Sequence, residues 1–517
     1  MIIIMSAAYC SPDFELEFGK IPPTFLPLGN RRLYEYQINL FKNIDDSIII
    51  ALPKSFKISK YDFQKITSFG VKILYIPDSL SLGEALVYAI NMNSPINETL
   101  YIFHGDSYFE HISFNKNSLT VTKVRENYKW AYLFDGENLN YSIKNNIDID
   151  NELILSGFMN IENPYILVKC IIESNYSFIE ALKQYSIFCP FEILINYSWL
   201  DFGLITNYFH SKKAISSQRC FNKLKFCNDG YIIKTSKWDK KIQSEINWFL
   251  NFPKELDIYI PKFKEQSNQS YKIEYLYNNT LSELFVFGSL PSYVWENIFK
   301  SLKFFLDKLH RYKNIDTNIC FDYKNKTLER LKFLNDDSFF NDLINKKYCY
   351  NEKNPISLKD ILNDINLYLV DNKEYSIIHG DFCFSNIMFD FRSGFIKVFD
   401  PRGMDFKENI TIYGDMHYDY AKLVHCVFGM YDFIISGFYT CKIKDNKIYF
   451  VIDMPNEIYN IQRKFTEIFQ LNKNIFAITL HLFLSMLPLH HDSKERQKAL
   501  FANIFRLYFL FKEEGLL

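Results

Sequence analysis

Short apolar runs alternate with longer amphipathic segments along the first third of the chain. The runs MIIIMSA, SIIIALP, VKILYIP and TLYIF are separated by stretches such as RRLYEYQINLFKN and LSLGEALVYAINM. Short continuous apolar runs are typical of strands buried on both faces, and the intervening segments are long enough for helices. This alternation predicts a parallel sheet covered by helices. Polar residues that follow its strands should collect at the carboxyl edge of the sheet.

The pattern changes near residue 215. KLKFCNDGYIIKTS predicts two strands around an Asn-Asp-Gly turn, followed by a helix over KKIQSEINWFLNF and further strands over IPKF and YKIEYLY. Beyond Pro291 the periodicity is mostly helical. SYVWENIFKSLKFFLDKLH carries one apolar stripe, formed by Val294, Ile298, Leu302, Phe305 and Leu309. A small β-rich lobe followed by a larger helical lobe is therefore expected.

Length and charge narrow the class of protein. A chain of 517 residues exceeds what one hydrophobic core usually covers, so at least two domains are expected. The net charge of -1 indicates neither nucleic acid nor an anionic membrane as a partner and favours a small-molecule substrate.

Three further features predict a cytoplasmic protein. MIIIMSAAY reads as a first strand and not as a signal peptide, because it lacks a basic segment. IFAITLHLFLSMLPL (475–489) is too short to span a bilayer and predicts a buried helix. The ten cysteines show no zinc spacing or paired pattern, which favours reduced thiols without disulfides or a structural metal.

The tripeptide HGD occurs twice, and its second copy lies in IIHGDFCFSNIMFD, which continues into GFIKVFDPRG. Asp381 and Asn386 are five residues apart, and Asp400 follows an apolar strand. Phosphoryl transfer to a hydroxyl needs a base and oxygen ligands for Mg²⁺, and these three side chains supply both. The spacing indicates that Asp381 is the base and that Asn386 and Asp400 are the metal ligands.

This second motif resembles the aminoglycoside phosphotransferase and choline kinase family, over roughly residues 215 to 517. The resemblance implies a two-lobed, protein-kinase-like α+β domain over 213–517, with a small lobe at about 213–285 and a helical lobe at about 286–517. It also implies that Lys234 in YIIKTS binds the α- and β-phosphates of ATP, with Glu245 as its ion-pair partner, and that Asp419 is a structural aspartate. The chain departs from the family's glycine-rich loop, with Ser216, Ser217, Gln218 and Gly230 in that region.

The first HGD lies in YIFHGDSYF, after the motif PPTFLPLGNRRLYEYQI. With LSLGEALVYAI, ILSGFMNI and YSWLDFGLITNYF, these segments resemble sugar-phosphate and phosphocholine nucleotidyltransferases over about residues 1 to 212. The resemblance implies a Rossmann-like α/β domain in which Asp106 and Asp201 share Mg²⁺. It also implies that the helix containing Gly83 lies below the nucleobase.

The phosphate-binding segment of this half departs from that family. SAAYCSPDFELEFGK replaces a glycine-rich loop with an arginine, and Thr24 stands where a lysine is expected. We expect Lys20 to make the catalytic phosphate contact, with Arg31 or Arg32 as alternatives, and the acidic run Asp13, Glu15 and Glu17 to be a solvated or Mg²⁺-adjacent loop. Asp148 and Asp150 form an Asp-x-Asp pattern, but the polar run NNIDIDNE favours a surface turn over a glycosyltransferase site.

The two resemblances together imply a bifunctional transferase. A kinase would phosphorylate an alcohol, amino alcohol or sugar with ATP, and the other half would transfer a nucleotide, with CTP favoured, onto that phosphate. The product would be an activated building block for capsule or other surface polysaccharide. Two alternatives stay open: a kinase with a catalytically degenerate regulatory front half, and a non-catalytic nucleotide-binding scaffold. In a decayed kinase fold, HGD would only hold the loop and His379 would only bond backbone.

Overall fold

The computed structural model describes residues 1–44, 47–96, 98–123, 133–134, 139–140, 153–215, 222–227, 229–236, 238–267, 269–314, 318–334, 344–371 and 374–517. The chain divides into two compact units, Met1–Ser216 and Ser217–Leu517. Each unit has its own sheet and its own helices.

The amino-terminal unit is an α/β structure. Its strands are β1 (Ile2–Met5), β2 (Pro27–Leu28), β3 (Arg31–Arg32), β4 (Ile48–Pro53), β5 (Lys72–Ile76), β6 (Leu100–His104), β7 (Ser107–Phe109), β8 (Ser118–Lys123), β9 (Leu133–Phe134), β10 (Leu139–Asn140), β11 (Leu153–Ile161), β12 (Glu192–Ile195) and β13 (Trp199–Asp201). Its helices are α1 (Pro12–Phe18), α2 (Leu33–Leu40), α3 (Lys60–Ser68), α4 (Leu82–Met92), α5 (Pro164–Glu173), α6 (Phe178–Phe188) and α7 (Ile205–Ile215). A short 3₁₀ turn covers Pro23–Phe25.

The predicted parallel sheet is confirmed. Strand β1 lies between β4 and β6, and both pairings are parallel, as is that of β4 with β5. Beyond β6 the strand β11 runs antiparallel and also pairs with β8. The run Ile2–Met5 is apolar throughout because it is buried on both faces: Ile3 belongs to one core and Ile4 to the other. The carboxyl ends of β1 and β6 therefore lie side by side.

The carboxy-terminal unit begins with strands and continues mainly as helices. Its strands are β14 (Asn222–Phe226), β15 (Tyr231–Ser236), β16 (Phe263–Ser267), β17 (Ser270–Glu274), β18 (Lys313–Asn314), β19 (Lys347–Tyr350), β20 (Ile356–Ser357), β21 (Tyr375–Ile377), β22 (Ile387–Phe389), β23 (Ile396–Val398), β24 (Tyr413–Asp415), β25 (Tyr439–Lys444) and β26 (Lys447–Ile452). Its helices are α8 (Asp239–Leu250), α9 (Leu281–Phe287), α10 (Ser292–Leu309), α11 (Tyr323–Lys332), α12 (Leu358–Ile365), α13 (His417–Val427), α14 (Tyr431–Ile435), α15 (Glu457–Ile468), α16 (Lys473–Met486) and α17 (Lys494–Glu513). Shorter 3₁₀ segments cover Lys254–Tyr259, Asn366–Tyr368, Phe384–Asn386 and Leu487–His490.

The small lobe is an antiparallel sheet in the order β14-β15-β17-β16, and helix α8 follows β15. The predicted hairpin around the Asn-Asp-Gly turn is confirmed. The strand predicted over IPKF begins only at Phe263, because Pro261 has no N–H to donate to a ladder. The next strand ends at Glu274 and does not continue to Tyr277.

The helical lobe follows the predicted periodicity. Ile298, Leu302, Phe305 and Leu309 are buried along α10, while Val294 at its start is only half-buried. The apolar stretch 475–489 forms the buried helix α16 and a following 3₁₀ turn. Among the described residues, no helix combines the length and the apolar character that crossing a bilayer requires.

His481 in α16 predicts a pH-dependent stability. Burial lowers its pKa from 6.5 to about 3, while Thr327 Oγ1 contacts its Nδ1 at 3.0 Å. Between pH 6.5 and about pH 3 the imidazole is protonated in the unfolded chain but not in the folded chain. The free energy of unfolding therefore falls as the pH falls through this range. The wild type should lose up to about 1.4 kcal/mol of unfolding free energy per pH unit through His481, and His481→Gln should not show this loss. Urea unfolding at about pH 7 and about pH 5 measures both slopes.

The matched control is the exposed His491. His491→Gln should keep the slope of the wild type. Equal slopes for wild type and His481→Gln would contradict the prediction.

Candidate active sites

Lys234 is the centre of a buried charge cluster in the carboxy-terminal unit. Its Nζ lies 2.7 Å from Glu245 Oε2 and 2.6 Å from Asp400 Oδ1. Lys234 and Glu245 are 2% and 0% exposed at their side chains, and Tyr271 donates its hydroxyl to the same Glu245 oxygen at 2.6 Å. Burial alone would lower the pKa of Lys234, but the two carboxylates raise it above its ordinary value. Lys234 is therefore a fixed cation on strand β15.

Asp400 is held in an unusual backbone conformation. Its φ is 57°, a left-handed region that few residues other than glycine adopt. The following Pro401 disfavours the right-handed helical region for Asp400, and the amide of Phe399 donates to Asn386 O at 3.1 Å. Such strain persists where surrounding contacts impose it, and it is common at functional sites. These contacts hold Asp400 beside the HGD loop.

The HGD loop presents Asp381 between a cation and an amide. Asn386 donates its Nδ2 to Asp381 Oδ2 at 2.9 Å, and Lys422 Nζ of α13 lies 2.7 Å from Asp381 Oδ1. Removal from bulk water would raise the pKa of Asp381, but Lys422 outweighs this effect and holds it below its ordinary value. The Asp381 side chain remains 40% exposed. The carboxylate is therefore ionised and accessible, as a base that accepts a hydroxyl proton must be.

Asp419 and His379 position this loop. Asp419 accepts the backbone N–H of His379 at 2.9 Å and that of Gly380 at 2.8 Å. His379 donates Nε2–H to Phe399 O at 3.0 Å, and its Nδ1 accepts from the amide of Asp381 at 3.3 Å. Burial lowers the pKa of His379. The histidine is a neutral connection between two backbone segments and does not contact a reacting group.

Asn386 and Asp400 offer the donor chemistry that Mg²⁺ prefers. Mg²⁺ in kinases is bound by one or two protein oxygens together with phosphate oxygens and water. Within the described ranges, no cluster of three His, Cys, Asp or Glu side chains suited to a metal is present. The amide oxygen of Asn386 and the 28% exposed carboxylate of Asp400 fit a metal that arrives with a nucleotide.

The first HGD lies at the carboxyl ends of β1 and β6. The amide of Gly105 donates to Met5 O at 2.8 Å, and a Cβ at Gly105 would lie 2.7 Å from Ser6 Cβ, so only glycine fits. Gln37, from the motif EYQI, donates its amide to Gly105 O and to Ser107 O at 2.9 Å each. The motif's glutamine therefore fixes the loop that carries Asp106.

A cavity of about 260 Å³ opens at this edge of the sheet. Asp106, His104 and Ser6 line it, together with Tyr9 and Leu82. Burial lowers the pKa of His104 to about 4 and raises that of Asp106 above its ordinary value. The cavity thus combines a neutral imidazole with a carboxylate that a cation would stabilise.

Asp106 and Asp201 approach the same glycine. A Cβ at Gly203 would lie 2.8 Å from Asp106 Oδ2 and 3.2 Å from Asp201 Oδ1. Strand β13 places Asp201 opposite Ser107 of β7, and Asn207 donates to Asp201 Oδ2 at 2.6 Å. Two carboxylates that face one small space form a fitting pair of oxygen donors for Mg²⁺.

The predicted phosphate-binding cations differ in their surroundings. Lys20 is exposed and its Nζ lies 4.5 Å from the ring centre of Tyr9, which lines the cavity. Arg31 is exposed on β3. Arg32 is buried, with its guanidinium 3.2 Å from Asp62 Oδ2 and bonded to Phe25 O, so it stabilises the fold. Lys20 and Arg31 stay the predicted phosphate contacts.

Two other predicted positions have structural explanations. Gly83 packs against the 171–176 turn: a Cβ there would lie 2.3 Å from Tyr176 O, and its neighbour Leu82 lines the cavity. Thr24 is buried and donates its amide and hydroxyl to Ser6 Oγ at 3.2 and 3.1 Å. A hydroxyl pair therefore occupies the place at which the resemblance implies a lysine.

The predicted acidic loop is a helix. Asp13 and Glu15 are exposed in α1, which begins at Pro12, whereas Glu17 is buried. Proline in the first turn favours helix initiation, which the polar composition of this segment concealed. Ser216, Ser217, Gln218, Asp148 and Asp150 lie outside the described residues, and Gly230 lies in the β14–β15 turn with φ 79°.

Lys422 and Tyr271 are site residues that the sequence motifs do not indicate. Lys422 is three residues after Asp419 in GDMHYDYAKL, which puts both on one face of α13. The three-residue spacing from Asp419 was the only signal in the sequence that pointed to Lys422. Tyr271 bonds Glu245 through the β15–β17 pairing, in which it stands opposite Lys234.

Comparisons with known proteins find counterparts among solved structures. No protein-family model matches the chain, and no curated protein matches its sequence. A nucleoside-diphosphate-sugar pyrophosphorylase from Vibrio cholerae RC9 is 15% identical over 41% of this chain and 100% of its own, with a TM-score of 0.34. An inositol-1-phosphate CTP transferase from T. maritima is 13% identical over 41% and 95%, with a TM-score of 0.32. ADP-bound aminoglycoside phosphotransferase APH(2'')-Ib is 17% identical over 58% and 95%, with a TM-score of 0.34. None of these likenesses carries an activity over to this chain.

Proposed function

We propose that the chain is a bifunctional transferase with an ATP-dependent kinase in its carboxy-terminal unit and a nucleotidyltransferase in its amino-terminal unit. The observation that supports this most is the convergence of Lys234, Glu245 and Asp400 by direct contacts, together with the Asp381–Asn386 pair. Phosphoryl transfer depends on positioning and charge stabilisation more than on covalent chemistry, and these side chains supply both.

In the kinase unit, Asp381 accepts the proton of the acceptor hydroxyl while Lys234 binds the nucleotide phosphates. Mg²⁺, held by Asn386 and Asp400 when bound, neutralises the phosphate charge. The acceptor is an alcohol, amino alcohol or sugar. ATP, as the donor, places its phosphates beside the Lys234–Glu245 pair.

In the amino-terminal unit, the Asp106–Asp201 pair flanking Gly203 supports a metal-dependent nucleotide site. Its chemistry is attack by a substrate phosphate on the α-phosphorus of a nucleoside triphosphate, with pyrophosphate leaving. Lys20 and Arg31 are the proposed phosphate contacts, Gly83 lies in the helix proposed to lie below the base, and CTP is the favoured nucleotide. The product is an activated building block for capsule or another surface polysaccharide.

A thermal-shift experiment with nucleotides tests both halves without knowledge of the acceptor. A ligand that binds only the folded protein at about a hundred times its Kd adds about 2.7 kcal/mol of stability. With Mg²⁺ and each of ATP, CTP, GTP, UTP and dTTP, the Lys234→Ala, Asp381→Ala double variant should lose the ATP response and retain that of the second nucleotide. Asp106→Asn should lose the response to the second nucleotide and retain the response to ATP.

The control is Glu173→Gln on the exposed side of α5, which should change neither response. If the Lys234→Ala, Asp381→Ala variant responds to none of the nucleotides, the amino-terminal unit is a regulatory domain that binds no nucleotide. If the wild type responds to no nucleotide, both proposed activities are ruled out.

A further inference from the structure

A cluster of four cations extends from Asp381, the proposed base of the kinase unit. They come from α11, from the segment after Asp400 and from α13: Lys326, Arg330, Arg402 and Lys422. The sequence analysis assigns none of these four side chains a role in the kinase site.

Two aromatic rings bring these cations together. Lys326 Nζ lies 3.3 Å from the ring centre of Phe406, and Arg402 Cζ lies 5.3 Å from the same centre. Tyr418 connects Lys326 to Lys422, with its ring centre 5.7 Å from Lys326 Nζ and 5.9 Å from Lys422 Nζ. Because Lys422 contacts Asp381, the cluster extends to the carboxylate that receives the acceptor's proton.

The cluster carries more positive charge than its ion pairs neutralise. In the part of the chain that the structure describes, only Lys422 of the four forms an ion pair, and its partner is Asp381. Arg402 donates to Met404 O and Arg330 to Ser485 O, which are neutral groups.

The nearest acidic side chain on the Arg402 segment is already engaged. Asp405 accepts hydrogen bonds from the amides of Lys407 and Asn409 and from that of Cys320. Burial lowers the pKa of Lys326 well below its ordinary value, and Arg402, Arg330 and Lys422 lower it further against the opposing effect of Asp381. Burial and mutual repulsion both destabilise these partly buried cations. A bound anion would offset both effects.

We infer that the acceptor of the kinase is an alcohol carrying an anionic group, a carboxylate or a phosphate, and that Lys326 and Arg402 bind this group. The inference rests on the proposed kinase function and selects among its acceptors. A cationic amino alcohol would need an acidic or open aromatic pocket. Here the faces of Phe406 and Tyr418 are covered by the protein's own cations, so a quaternary amine would meet repulsion.

Reductive labelling of the full-length protein with pyridoxal 5′-phosphate tests this inference directly. The aldehyde reacts with a neutral amine, borohydride fixes the adduct, and peptide mapping by mass spectrometry locates it. Pyridoxal, which lacks the phosphate, is the comparison reagent, and the exposed Lys332 corrects for the lower intrinsic reactivity of its cyclic hemiacetal. The ratio of labelling rates with the phosphorylated and unphosphorylated reagents should be at least about tenfold larger at Lys326 than at Lys332, since a charge-assisted contact is worth a factor of this order.

Competitors identify the ligand chemistry. Inorganic phosphate and glycerol 3-phosphate should slow the labelling of Lys326 if the site prefers phosphate, and glycerate should do so if it prefers a carboxylate. Choline should not slow it. Arg402→Gln should reduce the preference for the phosphorylated reagent, and the exposed Lys332 on the same helix should show no protection by any competitor.

The outcomes separate this inference from the proposed function. Loss of the thermal response to ATP with Mg²⁺ in the Lys234→Ala, Asp381→Ala variant supports the kinase, and an unchanged response removes the kinase even if Lys326 still prefers the anionic reagent. A reagent rate ratio at Lys326 equal to that at Lys332, or protection of Lys326 by choline, would overturn the anionic acceptor. Protection of Lys326 by ATP with Mg²⁺ as strong as that by glycerol 3-phosphate or glycerate would assign the cluster to the nucleotide and overturn it as well.

Discussion

Asp381→Asn should lower the rate of phosphoryl transfer by about 10²- to 10⁴-fold, the range that a positioned general base contributes. Asparagine keeps the shape and accepts the hydrogen bond from Asn386, but it cannot take a proton from the acceptor. The measurement is ADP release from ATP with Mg²⁺, first with water as the acceptor and then with glycerol 3-phosphate and glycerate. The thermal response to ATP should stay that of the wild type, because Lys234, Glu245 and Asp400 are unchanged.

The control is Asp445→Asn. Asp445 is exposed in the β25–β26 turn with φ 49°, a conformation that asparagine also tolerates. It should release ADP at the wild-type rate. If Asp381→Asn does so too, Asp381 is a structural residue of the loop, and the Lys422 contact explains its position.

The contact among Lys234, Glu245 and Asp400 could be predicted because their order along the chain resembles that of a known phosphotransferase family. Lys234 precedes a helix with Glu245, and Asp400 follows an apolar strand after the HGD loop. The structure brings these three side chains into contact, while their roles toward a nucleotide stay predictions. The parallel sheet was predictable for a similar reason, since strands buried on both faces produce continuous apolar runs.

The cation cluster could not be predicted from the sequence. Lys326 and Lys422 lie on different helices, and an isolated lysine on an amphipathic helix is usually a solvated surface residue. Only tertiary packing against Phe406 and Tyr418 shows that they face one another. Similarly, Arg32 could not be separated from Arg31 as a phosphate contact until its bond to Asp62 was visible. Such long-range pairings leave no periodic signal along the chain.

Lys234→Met should destabilise the carboxy-terminal unit by about 3–5 kcal/mol, because it removes the closest cation from a buried carboxylate. Glu245 is fully buried, and it keeps only a neutral hydrogen bond from Tyr271 and a longer contact of 3.8 Å with Lys241 Nζ. The double variant Lys234→Met, Glu245→Gln should recover most of that loss, since the amide oxygen of glutamine still accepts the Tyr271 hydroxyl and no buried charge remains at position 245. Urea unfolding of the full-length chain measures both effects.

The contrast with a surface pair makes this test specific. Lys303 and Asp307 lie 2.8 Å apart on α10 with side chains 40% and 44% exposed, and Lys303→Met should cost no more than about 1 kcal/mol. Neither Lys234 variant should respond to ATP, although the double variant is nearly as stable as the wild type. A stable double variant that still binds ATP would contradict the role of Lys234 as the phosphate contact. A single variant as stable as the wild type would show instead that Glu245 is protonated when buried, and that the cluster depends on the bond between Lys234 and Asp400.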